Sequence, residues 1–407
     1  MKKWIALLLA LVMMLGMVAC AADAPEEAED PVSKEEKAPE EEAAPAEELA
    51  VPEQATDAEI GGYKIGFFYL PASDGLSAQY HYALDWISNI TNCEMAYYDM
   101  STYSAEEMTT AVESLTSVGC DGIIVIAGTA PAMFEYMNDN GVYYVGMSRS
   151  HTEEVALVAD SSEYCCGWMD ESSGGNFKMG YGPTAALAEA GCETIAYLCG
   201  APGNELYDDR AAGMEAAAAD TGMEILTSYR GADYATGMAD ILASYGDQLD
   251  GLVANLNGDT GVAAIEAAGY GGKIKYAQVD PPADTAAYME SDRLTATNAG
   301  NNVFILQMYM QLFNAISGAD RLFNEGEKLI PGIPCFTVSS IEDWNMNKKY
   351  VLGEIPGLLP EELLALCSLF TPDTTVEEKE ELVQYYCSDE FWNIDAIASR
   401  VGPYLGE

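Results

Sequence analysis

The chain has 407 residues, with 18 lysines and arginines against 66 aspartates and glutamates, a formal net charge of -48 at pH 7. So acidic a surface repels polyphosphates, which argues against a nucleic-acid partner and for a neutral or cationic small ligand, or for no electrostatic preference. Its 10 cysteines show no Cys-x-x-Cys spacing and its two histidines, His81 and His151, lack a metal-like partner, so a zinc or iron–sulfur site is not expected.

Lys2 and Lys3 precede an apolar run from Ile5 to Val18, then Ala19 and Cys20. This is the pattern of a secretion signal, too short to span a bilayer comfortably. Met17-Val18-Ala19-Cys20 resembles the lipobox of bacterial lipoproteins, with Met17 where leucine is usual. The resemblance implies that residues 1–20 are a lipoprotein signal peptide, that Cys20 is lipidated, and that the chain is extracytoplasmic and anchored to the cell membrane. An ordinary signal peptide with an incidental cysteine is the alternative. Residues 21–60 consist mainly of Ala, Pro, Glu and Asp without an aromatic residue, too little apolar surface to offset ordering entropy. They read as a disordered acidic linker, or as an acidic binding tail.

From there strands and helices alternate. Lys64–Leu70 reads as a strand ended by Pro71 and the turn Ser73-Asp74-Gly75, before a helical pattern through Trp86 and Ile90. Met95–Tyr98 is a strand, and Ala105–Val118 a helix opened by a capping box of Ser104 and Glu107. Gly122–Ala127 is a buried strand, Pro131 starts a helix, and Val142–Met147 is another strand. Continuous apolar strands separated by helices predict a parallel, doubly wound sheet, complete by about residue 160. The pattern repeats with strands over 194–198, 224–228, 251–255 and 274–279, and helices over 210–220, 234–245 and 260–268. Two such units predict two lobes and a cleft, with ligands bound beyond the carboxyl ends of the strands. Beyond Tyr350, helices over 360–369, 376–386 and 391–398 form a C-terminal extension expected on a lobe or near the hinge, with a cleft rim or docking surface as the functional alternative. Apart from Cys20, the cysteines read as buried free thiols; a vicinal Cys165–Cys166 disulfide is the alternative.

Three local signatures, in this order, carry a wider resemblance: Cys120-Asp121-Gly122-Ile123-Ile124-Val125, Arg210-Ala211-Ala212-Gly213-Met214, and Leu252-Val253-Ala254-Asn255-Leu256-Asn257-Gly258-Asp259. Over roughly residues 62–340 the chain resembles type I periplasmic binding proteins, in the sugar-binding branch related to ribose- and galactose-binding proteins. The resemblance implies an α/β fold of two doubly wound Rossmann-like lobes joined by a multi-crossover hinge. The N-terminal lobe would be 61–160 with 301–336, the C-terminal lobe 161–300 with 337–350, and the helical extension 351–407.

The resemblance also implies the ligand residues. Ser73 and Asp74 match the polar turn after the first strand, while the usual Asn-Pro-Phe-Phe is absent and Tyr69, Tyr80 or Tyr82 would supply the aromatic wall. Ser148-Arg149 stands where the family often has Asp-Arg. Asp160 matches the acidic residue at the first hinge crossing, and Arg210, Asn257 and Asp280 match hydroxyl-binding positions. Gly300 replaces the glutamine of the second crossing, with Asn298, Asn301 and Asn302 beside it. Carboxylates accept, guanidiniums donate and an amide does both, which suits a polyol. Solvated helix position (Arg210), turn cap before Pro281-Pro282 (Asp280) and ordinary Asp-Gly turn (Asp74) are the plain alternatives.

The function so implied is binding without catalysis, cofactor or metal. A small polar ligand, a monosaccharide, would be captured by hinge closure and passed to ABC permease subunits by a monomeric, lipid-anchored protein. A sensory lipoprotein and a nucleoside- or autoinducer-binding protein of the same fold are the alternatives. No nucleophile, phosphate or dinucleotide motif occurs, and no pair among the many acids stands out as glycosidase-like.

Overall fold

The computed structural model describes residues 61–71, 75–170, 174–255, 260–300, 303–322, 328–329 and 334–407. The expected signal peptide 1–20 with Cys20 and the expected linker 21–60 lie outside the described residues, as do Ser73, Asp74, Asn257, Asn301 and Asn302.

The first sheet contains β1 (Lys64–Tyr69), β2 (Glu94–Asp99), β3 (Gly122–Val125), β4 (Tyr143–Met147), β5 (Cys165–Met169) and, late in the chain, β11 (Lys328–Leu329). Its order is β11-β5-β4-β3-β1-β2, parallel throughout. Alternation along these strands feeds two cores. Phe67, Ile124 and Val145 meet helices Gly75–Ile90 and Val303–Ser317 on one face. Phe68, Ile123, Val125 and Tyr144 meet Ala105–Ser117 and Pro131–Asn140 on the other. Both faces being covered, the strands are apolar without a break. A Cβ at Gly122 would come within 2.8 Å of Leu312, so the glycine lets Val303–Ser317 lie close on β3.

The second sheet repeats the winding with β6 (Thr194–Cys199), β7 (Glu224–Arg230), β8 (Gly251–Ala254) and β9 (Lys275–Gln278), in the order β7-β6-β8-β9. β10 (Thr297–Ala299) continues beside β9 and pairs antiparallel with β12 (Phe336–Val338). In both sheets the first strand of the unit lies one in from the edge, with its second strand on the outer side and its third on the inner.

Several boundaries differ from expectation. β5 belongs to the first sheet, so the lobe boundary placed at residue 160 moves beyond Met169. A vicinal disulfide is not formed: Cys165 and Cys166 are free and fully buried, and the other described cysteines are free thiols too. The helix expected from Arg210 starts at Glu205, directly after the Pro202-Gly203 turn. Only half of the first capping box forms: Ser104 Oγ accepts from Glu107 N at 3.2 Å, while the Glu107 carboxylate turns to Ser101 N and Thr102 N, each at 2.7 Å.

The C-terminal region bridges both lobes. Helix Ile341–Tyr350 packs on Thr285–Glu290 of the second lobe and against the later helix Ile394–Val401. Pro360–Leu364 packs on Val303–Ser317 of the first. Val376–Tyr386 matches expectation, opened by a complete Thr375/Glu378 capping box. The helix expected to run to Leu369 stops at Leu364, and the last begins at Ile394 because Asn393 Oδ1 caps Ala396 N at 2.9 Å.

Candidate functional site

A cavity of about 440 Å³ opens where the carboxyl ends of the two sheets face each other. The first lobe contributes Tyr69 from the end of β1, Tyr80 from helix Gly75–Ile90, and Arg149 from the turn after β4. The second contributes Arg210 from helix Glu205–Thr221, Asn255 directly after β8, and Asp280 just after β9. Tyr69, Arg149, Asn255 and Asp280 stand at or just beyond strand ends, where the backbone leaves the ladder and side chains face the opposite lobe, while Tyr80 and Arg210 come from helices that follow strands.

Arg210 is buried and heads a polar network. Its Nε donates to Asn176 Oδ1 at 3.1 Å, its Nη1 to Asn255 Oδ1 at 2.6 Å and to Asp280 Oδ2 at 3.4 Å. Asn255 Nδ2 donates in turn to the Tyr234 hydroxyl at 3.2 Å. Behind Asp280, Gln278 Nε2 donates to the Asp280 carbonyl at 2.6 Å and the Tyr276 hydroxyl donates to Gln278 Oε1 at 2.8 Å. This back row fixes where the carboxylate stands. Across the cleft, Arg149 Nε donates to the Ile126 carbonyl at 3.0 Å, which orients its guanidinium.

Aromatic rings line the first-lobe wall. Tyr80 sits edge-on to Tyr69 at 5.6 Å and to Phe304 at 5.5 Å, and Tyr69 meets Tyr103 at 5.9 Å. Burial, reinforced by Tyr69 and Asp280, pushes the Tyr80 phenol well above its ordinary value of 10.0, so it stays a protonated donor. Guanidiniums, a carboxylate, amides and phenols on converging walls can pair with groups that both donate and accept, while the rings cover C–H patches.

Of the ligand residues expected from the sequence, the structure places Arg149, Arg210 and Asp280 around this one cavity. Asp160 is a correction. It closes helix Glu153–Ala159, its side chain is 48% exposed, and its Oδ1 lies 2.6 Å from His151 Nε2, away from the cleft lining. The first crossing follows β5, where Asp170 stands instead, because the extra strand intervenes. Of the tyrosines, Tyr69 and Tyr80 line the cleft; Tyr82 does not. Asn298 donates to the Met179 and Val279 carbonyls at 2.8 and 3.0 Å, lacing the second crossing beneath the cleft. Asp74 and Asn257 lie outside the described residues.

Asn176, Asn255 and Phe304 were not singled out from sequence. Asn255 carried a usable signal, being the first polar residue after the strand Gly251–Ala254. Asn176 carried none, since its role depends on the approach of two helices. Among the described residues no group of three or more His, Cys, Asp or Glu is placed to hold a metal ion, and no helix is long and apolar enough to cross a membrane.

The family model described as a periplasmic binding protein domain matches residues 89–319. Among solved structures, an ABC-transporter solute-binding protein from Actinobacillus succinogenes 130z with bound D-allose is similar at 18% identity, covering 70% of this chain and 99% of that one, TM-score 0.55. A solute-binding protein from Bacillus halodurans C-125 with bound myo-inositol is similar at 18% identity over 72% of this chain and 100% of that one, TM-score 0.52. An arabinose-binding protein from Geobacillus stearothermophilus follows at 15% identity, 70% and 99% coverage, TM-score 0.54. No curated protein matches the chain in sequence.

Proposed function

The chain belongs to the periplasmic binding protein domain family, and from that premise we propose that it is an extracytoplasmic solute-binding protein for a small polyol, a monosaccharide, which it hands to an ABC permease. The observation that carries this reading is the buried set of Arg210, Asn255 and Asp280 facing Arg149 and Tyr80 across one cavity. Capture would be by hinge closure, since each lobe supplies part of the lining and a ligand touching both stabilises the closed form. Three structural neighbours are described by the sugars or polyols they bind, allose, myo-inositol and arabinose, which supports the ligand class. The family is one of binding proteins, and among the described residues the cleft lining holds no nucleophile poised beside a base.

A thermal-shift and calorimetric panel of D-allose, myo-inositol, arabinose, galactose and ribose tests the reading. A bound sugar at a hundredfold its Kd should stabilise the fold by about 2.7 kcal/mol. No shift with any sugar, and a shift with nucleosides, would replace the reading by the nucleoside alternative. Lipid anchoring at Cys20 is part of the same proposal. Cys20→Ser should release the protein from the membrane fraction or block its processing, and unchanged membrane retention would refute the anchor.

A further inference from the structure

Trp392 does not line the cleft, yet it is nearly fully buried against the second hinge crossing. Its Nε1 donates to the Gly300 carbonyl at 2.8 Å, immediately after β10. Gly300 has φ +76, and a Cβ there would come within 2.8 Å of the indole nitrogen and 2.4 Å of the Phe336 ring, so this backbone is shaped around the tryptophan. On its far side the indole lies on Gly357, where a Cβ would come within 2.5 Å of the ring.

The frame around Trp392 is itself fastened. Arg400 Nη2 donates to the Gly357 carbonyl at 3.0 Å and Nη1 to the Phe391 carbonyl at 2.9 Å, and the guanidinium lies 3.6 Å from the Phe391 ring centroid. That frame is tied to the first lobe: Asn314 Nδ2 donates to the Leu366 carbonyl at 2.9 Å and Gln307 Nε2 to Cys387 Sγ at 3.2 Å. In the other direction, two residues before Gly300, Asn298 holds the carbonyls of Met179 and Val279. Met179 lines the cleft, and Val279 immediately precedes Asp280. A connected path therefore runs from the C-terminal frame on the first lobe, through Trp392, Gly300 and Asn298, to the cleft floor of the second.

We propose that Trp392 is a positioning residue for ligand binding: by pinning the Gly300 crossing it holds Arg210 and Asp280 opposite Arg149 and Tyr80, and so sets the closed fraction and the affinity. This rests on the cleft being the ligand site. Apparent affinity scales with the fraction of molecules already in the binding-competent form, so a tenfold loss of that fraction raises Kd about tenfold.

The test uses the mature chain with Trp392→Phe, which keeps an aromatic ring and drops the donor, and Trp392→Ala. Ligand-free small-angle X-ray scattering reads the lobe separation, and calorimetry with D-allose and myo-inositol reads Kd. Trp392→Phe should enlarge the radius of gyration without ligand, raise Kd about tenfold, and return to the wild-type radius when saturated. Wild-type scattering and Kd in Trp392→Phe, even with a lowered melting temperature, would overturn the proposal. Should neither of these two sugars bind the wild type, the choice of ligand is what fails, and the ligand-free scattering of the two variants still decides whether Trp392 sets the hinge. If Trp392→Ala does not fold, Trp392→Phe alone carries both readings.

Discussion

Arg210 and Asp280 form a buried pair, so in the proposed site each would serve both ligand binding and the fold. On the proposed reading, replacing either by Ala should remove a charged hydrogen-bond partner from a ligand hydroxyl and cost on the order of 2–4 kcal/mol of binding. The structure adds a second effect. Asp280→Ala leaves a guanidinium that is only 8% exposed without its carboxylate, and breaking a buried pair from one side costs about 3–5 kcal/mol of stability. Calorimetry and thermal unfolding should therefore both move for Asp280→Ala; a variant that keeps wild-type sugar affinity would remove the pair from the site. Asp160 is the contrasting residue. Because it caps a surface helix beside His151, Asp160→Ala should bind sugar with the wild-type Kd, and a weakened Kd would return it to the cleft.

At the level of elements, what the sequence made legible was whatever carried its own punctuation. β1, β3, β8 and their neighbours are apolar runs bounded by Gly, Pro or Asp-Gly, and each appears within a residue or two of its expected place. Cys165–Met169 follows the turn residues Asp160-Ser161-Ser162, but it is short, contains Gly167 and shows no alternation, so its membership of the first sheet emerges only from pairing with β4, and Asp160 was displaced from the hinge as a result. The same limit applies at the site: Arg149, Arg210 and Asp280 follow recognisable motifs, whereas Asn176 and Trp392 act through contacts between elements distant in sequence. The Ser104 turn yields a pH test. Hydrogen bonds from Ser101 N, then from the Thr102 hydroxyl and the other Ser101 and Thr102 donors, hold the Glu107 carboxyl down to about 2 from its ordinary 4.5. A depressed carboxyl stabilises the fold fully above its unfolded pKa and loses that contribution as pH falls toward the folded value. Acid unfolding between pH 4.5 and 2 should thus be less steep in Glu107→Gln than in the wild type, and identical slopes would show that the turn opens before it titrates.

For the whole molecule, the two ends of the chain should behave oppositely on removal. Residues 21–60 have the composition of a chain unable to form a core, so a protein starting at Gly61 should melt at the temperature of the full mature chain. The C-terminal region is different, because Leu358, Leu363, Leu366, Ile397 and Val401 are fully buried and share one core with Phe304 and Phe313 of the first lobe. Burying a large apolar side chain contributes about 1.5–3 kcal/mol, so these five together rival the roughly 5–15 kcal/mol of net stability typical of a whole domain. Ending the chain at Tyr350 would also strip the cover from Val303–Ser317, a helix buried along almost its entire length. That truncation should give aggregated or molten protein with no cooperative melting transition. A soluble product with a sharp transition within a few degrees of the intact chain would instead mean that residues 351–407 are an appendage to the binding fold, and that a hinge role for Trp392 has no structural support.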